Sequence, residues 1–199
     1  MKPWSVSGVA ACCMLGLLCT GTASAAELYS NGPVVGANGK SVLAAPAVTL
    51  GFGAQHRSQN AVADDFTVSG GSAWSISSID FFAYQNNATS FTLQNVSWSI
   101  LSGDVNNGSV IASGTTTLGN GGLVGYRVTA AAQGVTTKQI YRATADITDL
   151  SLSAGHYWLR WSLTGSLSSG PWQPPTSDGV LGNAMQSGAG GPFVSLIDG

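Results

Sequence analysis

The sequence predicts an all-β fold: a two-sheet antiparallel sandwich of the jelly-roll type, with about seven or eight strands. Short runs of alternating apolar and polar residues recur along the chain, and this period of two is typical of half-buried strands. Clusters of Gly, Asn and Ser separate the runs and are typical of turns. Heptads and long amphipathic helical patterns are absent, so a helical fold is not expected.

Each predicted strand is an alternating run between two turn clusters. In chain order the predicted strands cover 64–68, 73–84, 91–101, 109–117, 122–129, 138–147, 156–163 and 192–197. The turn clusters lie at 69–71, 85–90, 103–109, 119–122 and 153–155. Strands at this spacing favour two packed sheets within one domain.

Alternation also assigns each side chain to a face of its sheet, because successive side chains point to opposite sides. The residues predicted to point into the core are Trp74, Ile76, Ile79, Phe81, Ala83, Val96, Trp98, Ile100, Val124, Tyr126, Val128, Tyr141, Ala143, Ala145, Ile147, Tyr157, Leu159, Trp161 and Leu163. Those predicted to point outward include Arg127, Ile140, Arg142, Asp146, His156, Trp158 and Arg160. The phase slips by one residue between Ile76 and Ile79, which predicts a β-bulge at Ser77–Ser78.

Residues 1–25 have the features of a secretory signal peptide. Lys2 supplies a basic start, an apolar stretch follows, and Ala23–Ala25 has the small-x-small pattern of a signal-peptidase site. Cleavage is predicted after Ala25, which leaves 26–199 as a single secreted or periplasmic domain. The alternative is a lipoprotein signal with lipidation at Cys12, but most of the apolar stretch follows that cysteine.

The composition of the remaining domain excludes several classes of protein. All three cysteines, Cys12, Cys13 and Cys19, fall within the predicted leader, so the domain has no disulfide and no cysteine-ligated zinc. Without Lys2 it carries six basic and nine acidic residues, a formal net charge of −3. Nucleic-acid-binding domains carry a basic surface, so nucleic acid is not an expected partner. No second apolar segment follows, so no membrane span is expected after cleavage.

Several stretches carry a resemblance to known proteins. They are LYSNGPVV at 28–35, the run containing ADDF at 62–85, YRVT at 126–129, IYRATADI at 140–147, LSAGHYWLRWSL at 152–163 and SGPWQPP at 169–175. On these motifs the chain resembles a loose group of uncharacterised secreted bacterial β-sandwich proteins with an ADDF strand. The resemblance implies the fold and secretion, and it implies no activity. Similar proteins continue into a further apolar strand, which implies either a C-terminal truncation or a sandwich that lacks one edge strand.

The candidate catalytic residues do not form a recognisable pattern. His56 and His156 are the two histidines, and no G-x-S-x-G nucleophile motif accompanies them. Glycoside hydrolysis usually needs two carboxylates that flank the bond, and Glu27 is the single glutamate. Asp64 and Asp65 are neighbours on one strand and point to opposite faces. The sequence therefore predicts a protein without catalytic activity and without a cofactor.

Calcium is the metal that the residue types favour. It takes oxygen ligands, and Asp64 and Asp80 are the main candidates, with Asp65 and the DVNNG run at 104–108 as further donors. The run at 104–108 lacks the spacing of an EF-hand and also fits a tight hairpin turn. The sequence therefore leaves two possibilities open, a domain that holds a structural calcium ion and a domain without a metal.

The adjacent carboxylates Asp64 and Asp65 have different predicted surroundings. Phe66 should point into the core, which places Asp64 on the core face and Asp65 on the other. A buried carboxylate is costly unless hydrogen bonds or a cation satisfy it. Asp64 is therefore expected to bond backbone amides of a neighbouring loop or to help hold a calcium ion. Asp65 is expected to be solvated or paired with a surface arginine.

Two tryptophans and an arginine are the candidate ligand-binding residues. Trp158 lies on the polar face of its strand beside Arg160, and Trp172 lies in a loop stiffened by Pro171 and the pair at 174–175. Sugar rings pack on indoles, and a pre-ordered loop lowers the entropy cost of binding. The alternative is that Trp172 caps the end of the core and that Trp158 packs under a loop.

These observations predict a secreted, non-catalytic β-sandwich protein that binds carbohydrate. One alternative is a calcium-stabilised structural or surface protein without a small-molecule ligand. A secreted hydrolase is the third hypothesis.

Overall fold

The computed structural model describes residues 3–8, 26–43, 50–176, 182 and 184–196. The predicted cleavage site at Ala25, the alternative lipidation site at Cys12 and the other leader cysteines lie outside these residues. The rest of the chain provides the strands, the core and the candidate sites described below.

Within the described residues the chain forms thirteen strands and two short 3₁₀ helices. The strands are β1 (Trp4–Gly8), β2 (Ala26–Ser30), β3 (Lys40–Leu43), β4 (Phe52–Gly53), β5 (Ala61–Val68), β6 (Trp74–Ala83), β7 (Leu93–Ser102), β8 (Ser109–Thr129), β9 (Gln139–Leu152), β10 (Gly155–Gly165), β11 (Trp172–Gln173), β12 (Met185–Ser187) and β13 (Val194–Ser195). The 3₁₀ helices cover His56–Ser58 and Ala130–Ala132. The all-β prediction is confirmed, although the strands outnumber the seven or eight predicted.

Eleven of these strands form one continuous, strongly curled sheet. Its order is β13-β12-β5-β10-β7-β8-β9-β6-β1-β2, with β3 paired to β8, while β4 and β11 form a separate two-stranded sheet. Neighbours are antiparallel except for β3, which runs parallel to β8. The antiparallel prediction is confirmed, but the architecture is a half-barrel rather than the predicted jelly roll of two separate sheets.

Strand β8 makes the sheet continuous because it belongs to both halves. Its first part pairs with β7 from Ser109 to Thr117, and its second part pairs with β9 from Leu118 onward. The predicted turn at 119–122 is therefore wrong. The register shifts between Asn120 and Leu123, and Gly122 has a φ of 101° there. A bulge of this kind bends a strand without ending it, and glycine adopts the positive φ without strain.

The two halves close on one hydrophobic core. All the alternating inward residues predicted in 138–147 and 156–163 are buried, as are Val96, Ile100, Ile76, Ile79, Phe81 and Ala83. Phe81 of β6 and Trp161 of β10 meet across the core with ring centroids 5.8 Å apart. Each such large side chain contributes about 1.5–3 kcal/mol when it is fully buried. The core can therefore hold the fold without disulfides.

The predicted bulge in β6 is confirmed. The pairing of β6 with β9 shifts register between Ile76 and Ser78, where the alternation slips in the sequence. Ile76 and Ile79 are both fully buried as a result. At the C-terminal end, the predicted strand at 192–197 corresponds to the two-residue strand β13, which pairs with β12, a strand that the sequence did not predict; residue 197 lies outside the described residues.

Two predicted outward residues, Arg127 and Ile140, are buried, because β3 and the segment before it pack against them. Ser41 of β3 lies opposite Arg127 in the pairing with β8, and Val34 packs with Tyr84 and Ile140 in a small second core. Arg127 is 2% exposed. Its guanidinium donates to Ser41 Oγ at 3.0 Å and to the Leu50 carbonyl at 2.7 Å. Alternation within one strand could not reveal this cover, because residues distant in sequence provide it.

Asp64 is buried on the core side of β5, as predicted, and is only 1% exposed. Its Oδ2 accepts a hydrogen bond of 2.6 Å from Asn31 Nδ2, and its Oδ1 accepts the Asp65 amide at 3.0 Å. The Asn31 side-chain amide is thus one partner of Asp64 in the neighbouring loop. Asp65 pairs with His156, not with an arginine. Asp64 consequently ties the chain after β2 to β5.

Tyr29 lies beside these carboxylates and belongs to an aromatic cluster at this end of the core. Burial first, and then the negative charges of Asp64 and Asp65, together raise the pKa of Tyr29 to about 12. Its ring centroid is 5.2 Å from that of Trp4 and 6.1 Å from that of Phe66. Tyr29 therefore packs as a neutral phenol at neutral pH.

Replacing Asp64 by alanine should destabilise the protein. The substitution leaves the buried Asn31 amide without its acceptor, and such a loss costs about 1–3 kcal/mol. Urea unfolding measures the change, with Asp149→Ala as the control because Asp149 is an exposed carboxylate. Equal stability of the Asp64 and Asp149 variants would contradict the structural role of Asp64.

Candidate functional site

A cavity of about 240 Å³ lies where the end of β6 meets the two-stranded sheet of β4 and β11. It brings together an indole, a phenol, an amide and an amine from three separate parts of the chain. The lining residues are Leu50, Gly51, Tyr84, Asn86, Lys138 and Trp172. Of the predicted ligand-binding residues, Trp172 is the one that lines this cavity.

Backbone hydrogen bonds hold Trp172 in place. Its amide donates to the Tyr84 carbonyl at 2.9 Å, and the Tyr84 amide donates to the Trp172 carbonyl at 3.0 Å. The indole Nε1 donates to Ser169 Oγ at 3.3 Å. The preceding Pro171 carbonyl accepts the Ala54 amide at 3.3 Å. The indole is half-buried, and these hydrogen bonds hold it in place on β11. A ligand would therefore bind without having to order this residue first.

Gly51 lets the opposite wall approach Trp172 closely. A Cβ at this position would lie 3.0 Å from the Trp172 Cβ, 3.0 Å from the Tyr84 hydroxyl and 3.3 Å from the Gln173 carbonyl. Real Cβ atoms rarely come so close to other heavy atoms. The absence of a side chain at Gly51 is therefore part of the cavity's shape.

Tyr84 and Asn86 supply hydrogen-bonding groups to the cavity. Burial raises the pKa of Tyr84 well above its ordinary value, against a smaller opposing effect of Arg127, so its hydroxyl stays protonated. Among the described residues that hydroxyl has no hydrogen-bond partner. Asn86 Nδ2 donates to Ser169 Oγ at 2.8 Å, while its buried Oδ1 has no partner within the described part of the chain. Buried polar atoms are usually paired, so these groups suit a ligand with hydroxyls.

Lys138 gives the cavity a positive charge. Within the described ranges no carboxylate lies at salt-bridge distance from its amine. Arg127 lies behind the cavity wall that Leu50 and Gly51 form. Its hydrogen bond to the Leu50 carbonyl holds that wall in place. Burial lowers the pKa of Arg127. The cavity thus combines a flat apolar ring with a cation and neutral hydrogen-bonding groups.

Trp158 and Arg160 lie together on the outer face of β10, as predicted, but not in this cavity. Trp158 packs edge-on against His156 with ring centroids 6.1 Å apart. Arg160 Nε donates to Ser99 Oγ at 3.1 Å, and its guanidinium lies 5.8 Å from the Phe193 ring centroid. Burial lowers the pKa of Arg160. Arg160 lines a different cavity of about 230 Å³, so the predicted trio of Trp158, Arg160 and Trp172 does not converge.

The predicted calcium ligands Asp64 and Asp80 also do not meet. Asp80 lies between the inward residues Ile79 and Phe81, and therefore points to the outer face of β6. There its carboxylate accepts bonds from Thr144 Oγ1 at 2.6 Å and Ser5 Oγ at 3.4 Å. Asp64 lies on the core face of β5. Within the described ranges no three His, Cys, Asp or Glu side chains form a group that could hold a metal ion.

The DVNNG run at 104–108 has the geometry of a turn. Asp104 Oδ1 accepts the amides of Asn106 and Asn107, each at 2.9 Å. These backbone hydrogen bonds, that from Asn107 first, lower the pKa of Asp104. The carboxylate oxygen Oδ1 is therefore engaged within its own loop.

The structure brings together a histidine and a serine that no sequence motif connects. His56 Nδ1 and Ser162 Oγ share a hydrogen bond of 2.9 Å, with Ser162 on the outer face of β10. A serine hydrolase also needs a group, usually a carboxylate, to orient the imidazole. Among the described residues no carboxylate is hydrogen-bonded to His56.

A larger cleft of about 580 Å³ opens where β8 and β9 separate. Trp98 lies at this cleft, half-buried, and its Nε1 donates to Thr116 Oγ1 at 3.1 Å. Asp146 and Asp149 stand exposed on the β9 side. The cleft exists because β8 pairs with β7 up to Thr117 and joins β9 only from Leu118 onward.

Sequence reasoning missed Tyr84, Asn86 and Lys138 as possible ligand-binding residues. Asn86 lies in the run at 85–90, which composition marks only as a turn, and Tyr84 and Lys138 are at the ends of predicted strands. No local pattern connects them. The one signal was the proline-rich loop around Trp172, which located one wall of the cavity.

No protein-family model, curated protein or solved structure matches this chain. Within the described residues, no helix is both long and apolar enough to cross a membrane.

Replacing Gly51 by alanine should disturb the Trp172 cavity. The added Cβ must displace the tryptophan or the tyrosine, and overpacking of this kind costs about 1–3 kcal/mol. Urea unfolding measures the loss, and the intrinsic fluorescence of the variant should report a changed tryptophan environment. Gly134→Ala is the matched control, because a Cβ at Gly134 meets nothing within 4 Å. If the two variants were equally stable, the close approach at Gly51 would not exist in solution.

Proposed function

We propose that this protein is a secreted, non-catalytic β-protein that binds carbohydrate through the Trp172 cavity. The observation that carries the proposal is the position of the Trp172 indole beside the Tyr84 hydroxyl, the Asn86 amide and the Lys138 amine around one cavity. An aromatic ring and a few placed polar groups are what small-ligand sites commonly combine.

The size and chemistry of the cavity favour a single sugar ring. Cavities for drug-sized ligands measure about 300–1,000 Å³, and this one is smaller. The apolar face of a pyranose can lie on the Trp172 indole, while its hydroxyls pair with Tyr84 and with the unpartnered Asn86 Oδ1. Binding would thereby satisfy an acceptor that is otherwise buried without a partner.

The charge of Lys138 favours an acidic sugar over a neutral one. A carboxylate on the ring would form a charge-assisted hydrogen bond with the amine, and such bonds are stronger than neutral ones. The proposed ligand class is therefore a glycan that contains a uronic acid or a similar acidic residue.

The hydrolase hypothesis has one supporting observation, the hydrogen bond between His56 and Ser162. It supports catalysis less strongly than the Trp172 cavity supports binding, because the pair has no orienting acid among the described residues. The calcium hypothesis is weaker, because Asp64 lies on the core face of β5 and Asp80 lies on the outer face of β6. The two carboxylates therefore cannot share one calcium ion.

Replacing Trp172 by alanine should weaken glycan binding by about 30-fold or more, because a central aromatic anchor contributes about 2 kcal/mol. A glycan array with neutral and acidic oligosaccharides identifies the ligand, and calorimetry then measures the dissociation constants. Lys138→Met should selectively weaken binding of acidic glycans.

Trp158→Ala is the matched control, because Trp158 is also half-buried but lies outside the cavity. Its affinity for the same glycan should equal that of the unmodified protein. Binding that survived in the Trp172 variant and was lost in the Trp158 variant would move the site to β10. An array without any bound glycan would overturn the proposed ligand class.

Secretion is supported by Lys2, the apolar stretch and the pattern at Ala23–Ala25. Intact-mass spectrometry of the exported protein should show a chain that begins at Ala26. Recovery of a chain that begins at Met1, or failure of export, would contradict this part of the proposal.

A further inference from the structure

Strand β1 occupies a slot inside the sheet rather than lying at its edge. It pairs with β2 on one side and with β6 on the other, both antiparallel. Trp4 is opposite Phe81, and Val6 is opposite Ile79, in the pairing with β6. Residues 4–8 therefore bridge two strands that would otherwise not be hydrogen-bonded to each other.

Two side chains of β1 complete the hydrophobic core. Trp4 is fully buried, with ring centroids 5.3 Å from Phe66 in an edge-on contact and 5.2 Å from Tyr29. Val6, two residues later on the same face, is also buried in the core cluster. The slot thus has a pocket for a large aromatic residue and, two residues further along the strand, a pocket for an aliphatic residue.

Polar contacts fix the backbone and the register of the strand in the slot. The Trp4 carbonyl accepts the Asn31 amide at 3.2 Å, and the Pro3 carbonyl accepts Gln173 Nε2 at 3.0 Å. On the outer face Ser5 Oγ donates to Asp80 Oδ2 at 3.4 Å. These contacts use main-chain carbonyls and a small hydroxyl, which many extended segments could supply.

Cleavage after Ala25 would remove β1 and leave the slot without its strand. The facing edges of β2 and β6 would lose their main-chain hydrogen bonds, and the space of Trp4 would be open beside Phe66. Unpaired strand edges next to exposed apolar surface readily accept another strand. An exported protein that has lost β1 can therefore keep an intact sheet when a different polypeptide segment fills the slot.

We propose that the slot between β2 and β6 is a strand-acceptor site, which in the exported protein takes an extended segment of another polypeptide. The segment has the alternation of β1: a large aromatic residue, a small polar residue and an aliphatic residue. Main-chain pairing with β2 and β6 provides affinity, and the pockets of Trp4 and Val6 provide specificity. The proposal rests on the secretion part of the proposed function and is independent of glycan binding.

The test uses the full chain with a specific protease site inserted within residues 9–25. The protein is folded first and then cut, so that β1 is held in its slot only by non-covalent contacts. A fluorescent peptide with the sequence of residues 3–8, PWSVSG, is added in excess. We expect the cut protein to take up the peptide and the uncut protein to exclude it.

Peptide variants test the specificity of the slot. A peptide with Trp4→Ala should bind at least about 100-fold more weakly, because it leaves the largest buried side chain of β1 missing. A peptide with Ser7→Ala should bind as the original does. Among the described residues the Ser7 hydroxyl makes no hydrogen bond, and the Ser7 carbonyl, which accepts Ser77 Oγ at 3.4 Å, is unchanged by the substitution. Removal of the cut fragment should lower the melting temperature, and added peptide should restore it.

Three results would overturn the proposal. They are the absence of peptide uptake after prolonged incubation with excess peptide, equal uptake by cut and uncut protein, and equal affinity of the original and Trp4→Ala peptides. Each leaves the glycan array and the intact mass of the exported protein unchanged, so failure of the slot is distinguishable from failure of the proposed function. An exported chain that begins at Met1 would keep β1 in the slot and would contradict both the predicted cleavage and an open acceptor site in the exported protein, even if the protein took up peptide after cutting.

Discussion

The continuity of β8 is the constraint on which the rest of the structure depends. One strand lies in both halves of the sheet, so the halves cannot separate and must close on a common core. The bend at Gly122 lets the hydrogen-bonded ladder turn this corner without a break. Phe81 and Trp161 then meet from opposite halves. Because the domain after the predicted leader has no cysteine, burial of these side chains carries the stability that disulfides give many small secreted domains.

Hydrogen bonds outside the main core position the candidate site. Arg127 donates to Ser41 of β3 and to the Leu50 carbonyl, and so holds Leu50 at the cavity wall. The far end of β6 holds Trp172 through its reciprocal backbone bonds with Tyr84. The next residue, Gln173, donates to the Pro3 carbonyl in the β1 slot. The proposed glycan cavity and the proposed strand-acceptor site are thus neighbours, joined by one two-residue strand.

Much of the fold was predictable from local alternation, and little of the site was. The inward set around Trp161 and the bulge after Ile76 follow from a period of two, which each strand carries in its own residues. The wrong predictions share a cause. Arg127 is buried by chain that is distant in sequence, and the turn signal at 119–122 is overridden by hydrogen bonds to β9. Trp172 was found because prolines mark its loop, whereas Lys138 has no local pattern that connects it to that loop.

The sequence by itself determined the all-β class, the faces of most strands, the absence of cysteine after the predicted leader and the features of that leader. These properties depend on residues within a few positions of one another. Only the tertiary structure decided that the sheet is one curled surface, that Asp64 bonds Asn31, and that Trp172, Tyr84 and Lys138 share a cavity. Such contacts depend on which strands pair and on how the sheet bends. The alternation within a strand is the same whichever strand lies beside it, so the sequence pattern does not predict these contacts.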